Sequence, residues 1–216
     1  MTASLPDPAH RIDDEATLRA LFPPTHAIAL EKQLDRLDPH ARDFVARSPF
    51  ALLGTQAPDG RADVSPRGDP AGFVRVLDDR TLAIPDRPGN NRLDSLSNIV
   101  RQPQVGLLFL IPGFDETLRV NGRAHLTTDP DLLAAMAVND RAPRVAVVVE
   151  VDEVFLHCAK AFRRSRLWDP EARQDRAAMP SLRRIIMDQV GTPPAEPEEE
   201  RRMDDALEDD YRRTMY

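Results

Sequence analysis

The chain contains one cysteine, Cys158, among 216 residues. It cannot close an internal disulfide, and no cysteine-based zinc set can be built around it. Read alone, it is a buried thiol at a strand end. The five histidines (His10, His26, His40, His125 and His157) show no ligand spacing such as i, i+4, so no metal site is expected. Ser48, Ser65 and Ser165 lack the glycine-flanked turn of a hydrolase nucleophile. No long hydrophobic run occurs either. The longest, Val105 to Ile111, falls far short of the roughly 20 residues that span a bilayer.

Positive charge is not in excess. The formal net charge of -7 argues against a general nucleic-acid binder, whose affinity would rest on neutralising phosphates. Much of that acidity lies between Glu196 and Asp210, read here as a solvated tail, and the remaining body is near neutral. Met1 to Asp14 lacks a basic region followed by an apolar core, so it is not a secretory signal. These absences predict a soluble, cytoplasmic protein with no membrane partner.

What is present suits one domain with decorations. Hydrophobic residues make up 41% of the chain, enough for a core, while 20 prolines and 30% charged residues imply much irregular structure. Asp14 to Phe22 reads as a short helix. Leu30, Leu34, Leu37, Ala41, Phe44 and Val45 recur at helical spacing up to about Arg47, with a break at Pro39. From Phe50 the texture becomes extended: Phe50 to Gln56, Ala62 to Ser65, Phe73 to Leu77, Thr81 to Ile84, Val105 to Ile111, Thr117 to Thr127 and Val145 to His157. Pro58-Asp59-Gly60 is the turn of the first hairpin. Helices are predicted at Arg92 to Arg101 (Leu93, Leu96, Ile99 and Val100 inward), at Asp129 to Ala137 and at Ser181 to Val190. Hairpin spacing without repeated helix crossovers favours an antiparallel barrel over a doubly wound sheet. Three segments follow: a helical extension over 1–47, a barrel over 48–168, and a helical segment with an acidic tail over 169–216, joined through a linker at Thr192 to Glu200.

Two stretches carry the chemistry. Ser65-Pro66-Arg67-Gly68-Asp69 ends one strand, and Pro85-Asp86-Arg87-Pro88-Gly89-Asn90-Asn91-Arg92-Leu93 ends another and opens a helix. Two guanidiniums, a hydroxyl and a helix N-terminus, brought together by a hairpin, make a site for a phosphate. Asn91 with Asp94 is capping-box-like. Each stretch alone also describes an ordinary surface arginine or a capped surface helix, and their pairing raises the odds. In the strand Thr117 to Thr127, Leu118, Val120, Ala124 and Leu126 share one face, and Arg119, Asn121, Arg123 and His125 the other, toward solvent or a cofactor cavity.

The order of these segments resembles the pyridoxamine 5′-phosphate oxidase-like, FMN-binding split-barrel family. The resemblance runs from Ala62 to Asp69 through Asp86 to Arg92 to Val105-Gly106-Leu107-Leu108-Phe109-Leu110 and the strand Leu118 to Ala124. It spans roughly Phe44 to Trp168 and is nearest a bacterial FMN-dependent subgroup with an N-terminal helical extension and an Arg-Gly-Asp-Pro stretch. It implies a six-stranded antiparallel split barrel, mainly β with helical insertions, and a homodimer with two FMN sites at the interface. Ser65, Arg67 and Gly68 would face the phosphate or ribityl end. Pro85, Asp86 and Arg87 would run along the flavin, and Asn91, Arg92 and Leu93 would close on the phosphate. Lys160, Arg166 and Trp168 would come from the partner subunit. The same stretch reads equally as an amphipathic surface helix packed by Phe162, Leu167 and Trp168. The arginine-rich substrate motif of the true oxidases is absent after the last strand, which makes pyridoxamine phosphate a poor substrate candidate.

The expectation is an FMN-dependent oxidoreductase acting on a small molecule, with no side chain marked as catalytic. Two other readings stand beside it: a non-catalytic FMN carrier or sensor, and a split-barrel protein that binds haem or a deazaflavin.

Overall fold

The computed structural model describes residues 5–193 and 196–216; the part of the Met1 to Asp14 reading on residues 1–4, and Pro194-Ala195 of the linker, lie outside them. The chain divides into two compact units, Met1–Gln33 and Leu34–Tyr216. In the first, α1 (Glu15–Ala20) is capped by Asp14, whose carboxylate accepts from the Thr17 amide at 2.8 Å. A second helix, α2, covers Ala27–Glu31.

The second unit opens with a correction. The helical spacing from Leu30 to Arg47 is not one helix broken at Pro39, because Pro39 begins a helix of its own, α3 (Pro39–Arg47). Proline lacks the amide that a first-turn residue leaves unbonded anyway, so it suits this position. Asp38 caps the turn, accepting from the Ala41 amide at 2.7 Å, and Ala41, Phe44 and Val45 are buried.

One antiparallel sheet organises the unit. Its strands are β1 (Phe50–Gln56), β2 (Ala62–Gly68), β3 (Arg75–Val76), β4 (Thr81–Pro85), β5 (Gln104–Leu110), β6 (Thr117–Thr127) and β7 (Ala146–His157). They lie in the order β2-β1-β5-β6-β7-β4-β3. All seven extended segments read from the sequence form strands, one more than the six that the resemblance implies, and the Phe73 to Leu77 segment keeps only two residues as the edge strand β3. Residues 73 and 74 turn inward and are buried instead of continuing the ladder. Alternation builds the core: Ala51, Leu53, Leu107, Phe109, Leu118, Val120, Val149 and Val154 point to one side and are buried.

The β6–β7 ladder is broken once. Asn121 pairs with Glu153 but Gly122 pairs with Val151, so Asp152 is the extra residue of a bulge. At this point the strands approach so closely that a Cβ on Gly122 would fall 2.1 Å from the Glu150 carbonyl oxygen.

The helices decorate this sheet. In α4 (Asp94–Arg101), Leu96 and Ile99 are buried as predicted, whereas Leu93 and Val100 are exposed. Leu93 stands before the helix proper, and Val100 lies on its outer side. In and after α5 (Pro130–Ala135), Leu133 and Met136 pack on Ala83, Ala146 and Val148 of the opposite sheet face. Beyond β7 come α6 (Lys160–Ser165), α7 (Leu182–Gln189) and α8 (Pro197–Thr214). Cys158 is exposed, not buried, because β7 ends at His157 and the chain turns away from the sheet. The acidic tail is an 18-residue helix. Arg184 of α7 holds it by bonding Glu200 at 3.0 Å while also bonding Asp188 at 2.9 Å. Among the described residues no helix is long and apolar enough to cross a membrane.

Candidate cofactor site at the sheet seam

Ser65 and Arg67 lie two residues apart on β2 and therefore project to the same side. The guanidinium of Arg67 donates to Asp86 Oδ1 at 2.8 Å through Nη1 and to Ser65 Oγ at 3.3 Å through Nη2. Two residues on, Asp69 accepts from Arg87 Nε at 2.6 Å, and Arg87 also donates to the Met136 carbonyl at 2.8 Å. These are largely buried ion pairs: side-chain exposure is 17% for Arg67, 15% for Arg87 and 1% for Asp69. β2 ends the sheet on one side, and β4 is next to last on the other. The two crossed ion pairs therefore join the ends of the sheet, and the barrel is closed at this seam by side chains.

A polar chain runs behind the seam into α4. The Ser65 and Ser95 hydroxyls share a hydrogen bond of 2.9 Å, and Ser95 donates to Asp63 Oδ2 at 2.7 Å. Thr55 donates to the same carboxylate oxygen at 3.1 Å, and Asn98 Nδ2 donates to Thr55 Oγ1 at 3.0 Å. Thr55, Ser95 and Asn98 are buried. These residues stand outside the set expected from sequence. Their signal was available, since Ser95 and Asn98 stand three apart, flush with the apolar pair Leu96 and Ile99. Polar residues on the inward face of a helix need partners there. Ser95→Ala leaves Asp63 and Ser65 each short of a partner, and is expected to cost about 1–3 kcal/mol, readable as a lowered urea midpoint with unchanged m-value.

The N-terminus of α4 differs from the expected one. The helix starts at Asp94, not Arg92, and the Asn91/Asp94 capping box is not formed. Asn91 and Leu93 take left-handed conformations (φ 57° and 58°), and Leu93, the N-cap residue, makes no side-chain cap. Among the described residues no side chain caps the first turn of α4. Arg92 is exposed and donates from Nε to Asp94 Oδ2 at 2.7 Å. That bond, then the Asp94 charge, and more weakly the charge of Asp63, hold its pKa above the ordinary guanidinium value. Arg92 thus lies within electrostatic reach of the carboxylate that anchors Ser95.

One buried donor at the seam is unanswered. Arg67 Nε is enclosed and has no hydrogen-bond partner among the described residues. Buried donors in folded proteins are nearly always satisfied, so this atom marks a place for an acceptor.

Lys160, Arg166 and Trp168 are not brought to this seam within the chain. Arg166 bonds Asp169 at 2.8 Å and 2.5 Å and Glu171 at 3.3 Å, and Trp168 Nε1 donates to the Phe114 carbonyl at 2.7 Å. Phe162 stacks 5.6 Å from the Trp168 ring. On the outer face of β6, Arg119 donates to Glu153 and lies 3.9 Å over the Phe155 ring, while Asn121 donates to Glu153 at 3.0 Å. Arg123 is more exposed, beside Glu150 at 3.4 Å.

A residue outside every predicted set also reaches the seam. The Tyr216 hydroxyl donates to Asp69 Oδ1 at 2.7 Å, its ring lies 5.7 Å from the Arg87 guanidinium carbon, and Arg141 donates to its main-chain oxygen. The Asp69 hydrogen bond, burial and the Asp69 charge hold its pKa above the ordinary phenol value, so it stays a donor. No sequence pattern points to it.

An antiparallel sheet whose ends are joined by buried ion pairs, with helices flanking it, is a split-barrel architecture. Residues 37–158, more than half of the chain, match the family model described as pyridoxamine 5′-phosphate oxidase, and the chain belongs to that family. No curated protein matches it. Among solved structures, HupZ of Group A Streptococcus is 16% identical, covering 55% of this chain and 92% of its own, with a TM-score of 0.45. A Lactobacillus delbrueckii protein, described as a candidate pyridoxamine 5′-phosphate oxidase, is 23% identical over 57% of this chain and 98% of its own, at a TM-score of 0.45. An FMN-binding protein from Syntrophomonas wolfei is 11% identical over 55% and 84%, at 0.43. These scores are low, and family membership rests on the family match.

Proposed function

We propose that this protein binds FMN at the seam and acts as an FMN-dependent oxidoreductase on a small molecule. The observation that carries the reading is the enclosed, unpartnered Arg67 Nε beside the Ser65 hydroxyl, in the same cluster as an uncapped helix start. A phosphate offers the acceptors that this group of donors lacks. Ser65, Arg67 and Gly68 would hold the phosphate and ribityl end, with Asn91, Arg92 and Leu93 closing over it. Arg92 would first have to leave Asp94. Pro85, Asp86 and Arg87 would line the flavin. The Asp86 amide already donates to the Val145 carbonyl at 3.0 Å, so other groups of 85–87 would meet the ring.

Bound FMN would supply hydride and electron transfer, and the protein would supply binding, orientation and electrostatics. The Arg67–Asp86 pair would set how much positive charge the phosphate meets, and the buried seam would keep water from that end. No residue is assigned as general acid or base. In this reading residues 48–168 are the cofactor-binding segment, with 1–47 and 169–216 as additions.

A homodimer completes the proposal. The sheet face away from the core carries Leu52, Leu108 and Leu110 half-buried, Phe50 exposed, and Gly54 and Gly106 as a flat strip. A second copy covering it would bring Lys160, Arg166 and Trp168 toward the seam of its partner. The test is an FMN titration followed by absorbance and fluorescence, with the solution mass. A yellow dimer with one FMN per chain is expected. A colourless monomer that takes up no FMN rejects the proposal, and tight FMN binding without turnover across reduced nicotinamides and acceptors makes it a carrier.

A further inference from the structure

The contacts of Tyr216 reach past α8 to the two residues that flank the proposed phosphate cradle. Asp69 follows Gly68 directly, and Arg87 follows Asp86 directly. Asp69 is almost wholly buried, and its carboxylate is shared: one oxygen accepts from Arg87 Nε at 2.6 Å, the other from the Tyr216 hydroxyl at 2.7 Å. The phenol therefore occupies the acceptor that a buried carboxylate would otherwise present to water. Its ring lies beside the other partner, 5.7 Å from the Arg87 guanidinium carbon, within the range of a cation–π contact. Arg87 is also fixed from behind by the Met136 carbonyl at 2.8 Å. Arg141 bonds the Tyr216 main-chain oxygen and so tethers the backbone as well as the ring. One tyrosine thus touches both members of a buried ion pair, through both its polar and its aromatic parts.

We propose that Tyr216 is a positioning residue of the cofactor site, and that the segment carrying it, α8 onward, is a strap whose docking and FMN binding reinforce each other. This rests on the FMN reading given above. Tyr216 acts through the Asp69–Arg87 pair: it holds the Arg87 guanidinium in place where the flavin would lie alongside residues 85–87. Any ligand that needs Arg87 in this position binds better when the strap is docked. By linkage, the strap must dock better by the same factor when the ligand is bound.

The experiment compares wild type, Tyr216→Phe and Tyr216→Ala by FMN titration, and by hydrogen exchange over residues 197–216 with and without FMN. In Tyr216→Ala, FMN affinity falls about tenfold, the size of a typical coupling, while the barrel still unfolds in one cooperative transition. In Tyr216→Phe, which keeps the ring over Arg87 and loses the bond to Asp69, the loss is smaller. Adding FMN to wild type slows exchange over 197–216, and adding it to Tyr216→Ala does not. Wild-type FMN affinity in Tyr216→Ala, with exchange over 197–216 indifferent to FMN, overturns the strap and leaves the FMN site standing. A wild-type protein that takes up no FMN overturns the FMN reading itself and the strap with it.

Discussion

Gly122→Ala is expected to destabilise the protein by at least about 3 kcal/mol, at the upper end of what overpacking costs. The reason is local. The added methyl would sit 2.1 Å from the Glu150 carbonyl oxygen and 3.0 Å from its carbonyl carbon. These are backbone atoms of the neighbouring central strand, so no side-chain rotation can relieve the contact. Relief requires β6 and β7 to separate at the bulge, and their pairing is the longest in the sheet, from Thr117 opposite His157 to Thr127 opposite Ala146. The measurement is the urea midpoint by circular dichroism. A wild-type midpoint would mean that the Glu150 peptide swings aside at no cost.

Arg67→Ala is expected to weaken FMN binding about 10- to 100-fold, since charge-assisted hydrogen bonds contribute roughly 1.5–3 kcal/mol. It should also lower stability, because Asp86 would be left without its guanidinium at a mostly buried position. Arg67→Lys should recover only part of either loss, because a single ammonium cannot reproduce a fork that bonds Ser65 and Asp86 together. Arg92→Ala is the internal comparison. Arg92 is exposed and already bonded to Asp94, so its loss should weaken FMN less than the loss of Arg67 and leave the melting temperature near wild type. Isothermal titration with FMN, beside thermal melts without it, separates the two effects. Equal losses from both arginines would refute this ranking.

The sheet was legible because its signal is repetitive. Alternation in Phe50 to Gln56 and Thr117 to Thr127 recurs every two residues, and a misjudged end barely changes it. The family was legible for a related reason, since it rests on the order of several segments and not on one residue. Helix starts were less so. Pro39 reads from sequence as an interruption but serves as a first turn, and only the cap by Asp38 distinguishes the two. Arg92 and Leu93 look like the opening of α4. Left-handed backbone at Asn91 and Leu93 delays the helix by two residues, and nothing in the local composition demands that for a leucine. At the site, Arg67, Asp86 and Arg87 are legible in the sequence, but which carboxylate pairs with which arginine is not. Which of Asp63, Asp69 and Asp86 faces which arginine depends on how far the sheet curls. That is a property of long-range packing, as is the arrival of Tyr216 from a helix that reads as solvated tail.

The crossed pairs Arg67–Asp86 and Asp69–Arg87 give the barrel an unusual mechanical character. Elsewhere the ring is held by ladders of main-chain bonds, which break only by unfolding strands. At the seam it is held by four side chains, two of them carboxylates that can be outcompeted by another anion. Under the proposed reading, a phosphate entering there would be both guest and rivet: bonding the unpartnered Arg67 Nε, it would add a link at the seam. Cofactor loading and barrel closure would then be a single equilibrium, so the empty protein would loosen first at its seam, and the amount of cofactor in solution would set how tightly the ring is shut.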